Sequence, residues 1–455
     1  MMLPLLGLVG IGVGLSLALA PFPWNLAIPF GALAAILSLL FPLGIVAALL
    51  ALSTTRILWR GGGIAPEELL YSMTFLWLLG TTWLRTMGKG EKDGEVFHSR
   101  ITLPLLCMGL LGLWGAFLGM VRGHPFATWT SDLNFILFFW LAFVVAAAAK
   151  DLGDLYRIFW PTLWVTFGVV AWGIVWRIRS GAVFSGLNPG FPRGMAFSST
   201  FFVLCLCLFL FAEPGSRRRK GLFWLALFFG LHQFLSFVRN AWVGQIAAVG
   251  FILLVLSPRR RFLRVAGILC LLVSFFSVLS WMMPTENRFV KMPVYVADRF
   301  VSIFTEAGGA GPTIRTRYSE WGSALRQFAE HPFVGNGLGT EIRFIRYEYE
   351  RLPLATERYI HSSFIYYLLN TGLLGLALFI WFSLQSVRYG LWVYRRIQPP
   401  DLKGLALGLT ASLVFQVAAS FAGNELNYPA RTIWTGFFLG SLIVLERQVK
   451  EAESG

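Results

Sequence analysis

Apolar residues run in blocks along the chain, and the polar ones gather between the blocks. Leu3–Ala20, Leu26–Leu40, Pro42–Ser53, Glu67–Leu84, Ile101–Val121, Asn134–Ala149, Phe159–Trp176 and Met195–Ala212 fill the first half. Leu222–Phe237, Ala241–Leu256, Val265–Trp281, Ser363–Phe382, Ala406–Phe421 and Thr432–Leu445 fill the second. Many of these blocks approach the ~20 residues that carry a helix across a bilayer. A transmembrane barrel would show short alternating segments instead. The pattern predicts an all-α, polytopic membrane protein of about 12–14 spans by this length rule. Pro29 and Pro42 interrupt the opening blocks, so the count before residue 90 is open. Leu3–Ala20 has no basic leader and reads as a retained span.

One polar stretch is far longer than the rest, Pro284 to Ile360. Residues 1–455 read as a single integral membrane domain, with 284–360 as a long loop between spans. Within it, Arg317 to Phe328 has helical spacing. Trp321, Leu325 and Phe328 fall on one face, with Glu320 and Arg326 off it, which predicts an amphipathic helix at the membrane surface. Pro332 and the glycines of HPFVGNGLG end that helix.

Composition agrees with the pattern. Apolar residues are 56% of the chain and charged residues 13%, with 18 Trp and 42 Phe. The net charge of +15 would suit nucleic acid, but Lys and Arg concentrate in short basic segments. They are RRRK at 217–220, RRRFLR at 259–264 and RYGLWVYRR at 388–396. Even numbers of crossings separate them, so the excess of positive charge on short inner loops puts all three in the cytoplasm. The loop 284–360 then lies outside. It holds ten Lys/Arg against nine Asp/Glu, a balance that the orientation rule does not oppose. Cys107, Cys205, Cys207 and Cys270 sit inside apolar blocks and read as small core residues. No Cys/His cluster suggests a metal, and no nucleic-acid partner is expected.

The remaining charges point to chemistry. Arg177, Arg179, Arg193 and Arg239 fall in short outer segments, where positive charge is disfavoured. A cation beside hydrocarbon is costly unless it meets an anion. Arg239, between two spans with almost no loop, suits a phosphate clamp and equally suits snorkelling to lipid headgroups. Arg177 and Arg179 follow a span directly and read as headgroup-facing. Arg122 also falls outside and is given no role. His361 stands at the start of an apolar helix, where the positive helix end favours neutral imidazole. It suits a general base, or else an interfacial residue beside a Ser362 or Ser363 cap. His331, before Pro332, reads as structural, and His98, His124 and His232 have no partners at useful spacing. There is no DxD signal for a metal-dependent sugar transferase, and GNGLG reads as a turn.

Three segments together resemble the O-antigen ligase / O-antigen polymerase superfamily of bacterial envelope enzymes. LSFVRNAW at 235–242 is similar to its Ser/Thr-x-x-Arg-Gly-Ala-Trp element, with Asn240 where the glycine is usual. Arg317, Trp321, His331-Pro332, Gly335 and Gly337 are similar to its R…W…HP-x-x-G-x-G element. His361 through Gly375 is similar to its H-N-S-F…G-x-x-G element, with Ser362 in the asparagine position. The resemblance covers roughly residues 180–390. It implies a GT-C-like, metal-independent glycosyltransferase without cofactor, in the bacterial inner membrane, with its site facing the periplasm. The donor would be a glycan on undecaprenyl diphosphate, and the acceptor lipid A–core or another glycan. Arg239 and Arg317 would neutralise the diphosphate, and His361 would take the acceptor hydroxyl proton. Arg193, Trp321 and Arg179 would contact substrate. A ligase, a polymerase that uses a second lipid-linked repeat unit, and a protein O-oligosaccharyltransferase share these elements and differ in acceptor. A lipid-linked glycan transporter is disfavoured: Gln245, Asn370 and Gln416 are the main polar residues inside the spans.

Overall fold

The structure is a computed structural model. It describes residues 41–53, 66–87, 99–179, 197–236, 238–256, 312–347 and 354–454. The spans proposed at Leu3–Ala20, Leu26–Leu40 and Val265–Trp281, the basic segment 259–264 and Arg193 lie outside them.

Described helices, in order, are α1 (Pro42–Ser53), α2 (Pro66–Met87), α3 (Thr102–Val121), α4 (Phe126–Leu137), α5 (Leu141–Ala148), α6 (Leu152–Arg179), α7 (Phe197–Phe211), α8 (Arg217–Leu235) and α9 (Arg239–Val255). After them come α10 (Pro312–Phe328), strands β1 (Ile342–Ile345) and β2 (Leu354–Glu357), α11 (Ser363–Arg396), α12 (Pro400–Ala419) and α13 (Pro429–Ser454). A 3₁₀ turn at Phe138–Trp140 joins α4 to α5. The chain is an all-α polytopic membrane protein. Among the described residues, five helical segments are long and apolar enough to cross a bilayer. Large apolar side chains on the outer faces of α3 and α6, among them Leu110, Leu113, Phe117, Trp172 and Trp176, are exposed, as lipid contact requires.

Hydropathy marks each helix but not its ends. The segment KDLGDLYR supplies the first turns of α6, RRRK the first turn of α8, and RYGLWVYRR the last turns of α11. The expectation that RRRK and RYGLWVYRR are loops is corrected. A helix keeps its internal hydrogen bonds past the hydrocarbon, and hydropathy registers only the lipid-embedded part. Helices α1, α2, α10, α12 and α13 begin at proline, whose missing N–H costs nothing in a first turn.

Helix α7 packs between α8 and α12, and α12 also packs on α9 and α11. Helix α13 runs against α5, the 3₁₀ turn and α1, while α11 lies on α3. Trp434, Phe201 and Phe229 are fully buried where α7, α8 and α13 meet. Phe201 stacks on Phe229 with ring centroids 5.5 Å apart and meets Trp434 edge-on at 5.3 Å. Lipid is as apolar as these side chains, so close packing, rather than escape from water, holds such helices together.

The helix ends sort into two sets. At one end Arg218 of α8 pairs with Asp401 of α12, Arg396 of α11 reaches Glu453 of α13 at 3.3 Å, and Ser99 and Tyr389 donate to Glu446. At the other end lie the starts of α9, α11 and α13 and the end of α12, tied together by the segment 420–428. The basic segments 217–220 and 388–396 therefore share one end, and Arg239, Arg317 and His361 share the opposite end.

Helix α11 is broken. Gly372 has φ 69° and ψ −167°, far from helical values. The turn 331–340 plugs the break. The N–H of Asn336 donates to Leu369 O at 2.8 Å and that of Gly337 to Asn370 O at 2.9 Å, while Leu373 N–H donates to Pro332 O at 2.9 Å. Leu338 N–H continues the contact to Gly115 O of α3 at 2.8 Å. Gly335 and Gly337 have φ of 80° and 84°, and a Cβ on either would collide with the backbone of α11 or α3. The glycines are fixed by both conformation and space. Arg122, which the sequence left without a role, donates to Asn336 Oδ1 at 3.2 Å, and His124 Nδ1 lies 2.8 Å from Leu338 O. Buried Asp132 of α4 accepts from Gly339 N–H at 2.9 Å.

Candidate active site

Helix α10 forms where the spacing predicts. Its buried residues are Thr316, Glu320, Ser323 and Ala324, and Leu325 is exposed. Trp321 and Phe328 are only partly buried, and Glu320, placed off the face by pattern, has no exposed surface. The reason is polar: Glu320 finds donors that repay its burial.

Those donors belong to His361. Its backbone N–H donates to Glu320 Oε1 at 2.6 Å, and its Nδ1 lies 2.9 Å from Glu320 Oε2. Ser362 caps α11, its hydroxyl accepting from Ile365 N–H at 3.4 Å, and this sets His361 just ahead of the first turn. The His361 side chain is 47% exposed while the carboxylate behind it is enclosed. A carboxylate on Nδ1 holds that nitrogen as the N–H donor and leaves Nε2 as the proton acceptor. Chemically, such an arrangement can accept a proton at Nε2 while the carboxylate orients the ring.

Arg317 lies one turn before Glu320. Its Nη1 donates to Ala422 O and reaches His361 O at 3.5 Å. Both of these acceptors are backbone carbonyls, which aim the guanidinium. The motif's arginine and histidine are thus brought together across 44 residues.

The segment 420–428 between α12 and α13 makes this possible. Ser363 N–H donates to Ser420 O at 3.0 Å, Ser363 Oγ to Asn427 Oδ1 at 3.0 Å, and Asn427 Nδ2 to Ile360 O at 3.0 Å. Arg239 is the first residue of α9 and half-buried, and its neighbour Asn240 donates to Glu425 Oε1 at 3.2 Å. Arg431 also donates to Glu425 and to Asn424 Oδ1 at 3.1 Å. Burial pushes the Glu425 carboxyl above its ordinary value, and Arg431 and Asn240 draw it back down. Asn240, a departure from the resembled motif, therefore has a structural task in this chain. Gly423 leaves room for it, since a Cβ there would strike its amide.

Trp321 presents its ring edge-on to Tyr318 at 6.0 Å, on the same helix as Arg317 and Glu320. Arg179 is exposed at the end of α6, and no described contact joins it to this cluster. Arg193 lies outside the described residues. Sequence reasoning missed Glu320, Glu425, Arg431 and Asn427. The one signal for Glu320 was its position, three residues after Arg317 and beside Trp321, where an acid on a surface helix looks like ordinary solvation. Asn427 and Glu425 gave no signal, because Ser363 and Asn240 lie 64 and 185 residues from them.

Residues 221–380 match the model of a family described as O-antigen ligase. That match takes in Arg239, Arg317, Glu320 and His361, and supports the O-antigen ligase / O-antigen polymerase superfamily that the three motifs resemble. No protein of curated function matches the chain.

Proposed function

We propose, with the superfamily match as premise, that the chain is a glycosyltransferase of the O-antigen ligase type. It would transfer a glycan from undecaprenyl diphosphate to a hydroxyl of lipid A–core at the periplasmic face of the inner membrane. The observation that carries this reading is the His361–Glu320 pair with Arg317 beside it, at one end of a membrane bundle and within the matched segment.

The step balances without a metal. The acceptor hydroxyl oxygen attacks the anomeric carbon and forms the new glycosidic bond. Its proton passes to His361 Nε2. The bond from the anomeric carbon to the diphosphate oxygen breaks, and the electron pair leaves on that oxygen. Arg317 and Arg239 meet the developing charge, an electrostatic stabilisation of the kind that dominates many enzymes. Attack opposite the leaving group inverts the sugar carbon. Glu320 keeps the imidazole in the productive tautomer and stabilises the imidazolium that forms. Trp321 and Arg193 are assigned to substrate contact, and Arg179 to headgroups at the same end.

The test is a reconstitution of purified protein with an undecaprenyl-diphosphate-linked glycan and lipid A–core, resolved on a gel, with His361→Ala alongside. Glycan on lipid A–core, with the variant reduced by about 10²-fold or more, supports the ligase. A lengthening ladder on the polyprenyl carrier makes the protein a polymerase. No transfer to either acceptor by folded protein rejects both the ligase and the polymerase.

A further inference from the structure

The other end of the bundle carries a feature that the transfer chemistry does not use. Arg217, Arg218, Arg219 and Lys220 form the first turn of α8. That is the wrong end of a helix for cations, because the N-terminal peptide dipoles are already positive there. The turn contains no acidic residue. Arg218 is paired with Asp401 and reaches over the Tyr156 ring. Arg219 lies over the Phe209 ring at 5.0 Å. Among the described residues, no acidic side chain pairs with Arg217, Arg219 or Lys220, and Arg217 and Lys220 are exposed.

Two apolar hollows open immediately below this turn. The larger, about 420 Å³, lies between α6 and α8 and is lined by Trp160, Trp164, Phe167, Gly221, Leu222 and Trp224, with Arg218 at its rim. The smaller, about 220 Å³, lies on the other side of Trp224 and is lined by Phe209, Ser216, Arg219, Lys220 and Phe223. Nothing lies within 4 Å of where a Cβ on Gly221 would stand, so the glycine keeps the larger hollow open. Trp164 and Trp224 are largely exposed on its walls.

We infer that the turn 217–220, with the two hollows that flank Trp224, binds an anionic phospholipid of the leaflet opposite the transfer site. One acyl chain would lie in the tryptophan-walled hollow, and the phosphate would sit on Arg217, Arg219 and Lys220. Charge complementarity selects this occupant: three cations collected where the helix dipole opposes them are stabilised by a phosphate, and the apolar walls begin one residue further along α8. A zwitterionic lipid would bring a compensating cation and gain little from them.

The test uses full-length protein in detergent with phosphatidylglycerol or phosphatidylcholine added, and bound lipid counted by native mass spectrometry. Phosphatidylglycerol should be retained roughly tenfold or more over phosphatidylcholine, as three cations near a headgroup predict. Two variants probe the halves separately. Arg217→Gln/Arg219→Gln/Lys220→Gln removes the charge and spares the Arg218–Asp401 pair. Gly221→Trp fills the hollow and leaves every cation in place. The first should reduce the preference to within about twofold and the second should cut phosphatidylglycerol retention by about tenfold, with the unfolding midpoint confirming an intact fold. Equal retention of the two lipids by the unmodified protein overturns the inference. So does a preference that survives the charge-removing variant, or phosphatidylglycerol retention that Gly221→Trp leaves unchanged.

Discussion

His361 offers two ring nitrogens, and Glu320 occupies one of them. The free nitrogen then has a fixed direction, which a base needs more than it needs proximity alone. Glu320→Gln keeps the volume but permits the amide to donate to Nδ1, which would hold the wrong tautomer. We expect kcat to fall by about 10²-fold or more, with donor KM within about threefold, and Glu320→Asp to recover part of the loss. A uniform rise in KM with kcat unchanged would remove Glu320 from the mechanism. Glu425 gives a second residue-scale expectation. Its native carboxyl is held above its unfolded value by burial. The fold therefore binds that proton more tightly than the unfolded chain does. The associated stability is present below the unfolded value and lost as pH rises through the native one. Glu425→Gln should flatten that limb of the unfolding midpoint against pH. An unchanged slope would show that another group sets it.

The elements divide sharply in how legible they were. Helix positions could be read because apolar blocks of about 20 residues have few other meanings. The Arg317–Phe328 helix was readable from spacing, but its orientation was not. Glu320 turns inward to serve His361, a residue 41 positions later that no local pattern contains. The glycines of HPFVGNGLG were readable as a turn, yet not as a plug, because the socket at Gly372 lies in a span that hydropathy shows as continuous. The short β1–β2 hairpin, with Ile342 opposite Glu357, was not anticipated. Gly335→Ala and Gly372→Ala test the plug. Each combines positive φ with a collision, so each should destabilise by about 2–3 kcal/mol or more. Thermal unfolding and the yield of folded protein would report it. A substitution that leaves both unchanged would mean that the loop does not seat in the break.

At the scale of the whole molecule, the sorting of charges is the main result. Basic segments 217–220 and 388–396 lie at one end, and the candidate base with its arginines at the other. Net charge and parity of spans made this arrangement readable, since orientation depends on short-loop cations rather than on any tertiary contact. The segment 420–428 was opaque for the opposite reason: its role exists only once four helix ends have met. Cysteine labelling in cells tests the orientation. In a background with Cys107 and Cys270 replaced, Tyr318→Cys should react with a membrane-impermeant maleimide applied outside, and Arg217→Cys should not. Cys205 and Cys207 are buried and should stay silent. Reversed labelling would invert the topology and move the candidate site to the cytoplasm.

The broken helix bears on how the protein is made. Carbonyls of Leu369 and Asn370 cannot be left bare in lipid, where each unmatched group costs several kcal/mol. Their partners, Asn336 and Gly337, leave the ribosome more than thirty residues earlier. The plug is therefore synthesised before its socket. If that plug is translocated, as the topology requires, it waits on the far side while α11 is being inserted. The first half of α11 can settle only where the turn has already arrived, so the hydrogen bonds that close the break also order biogenesis.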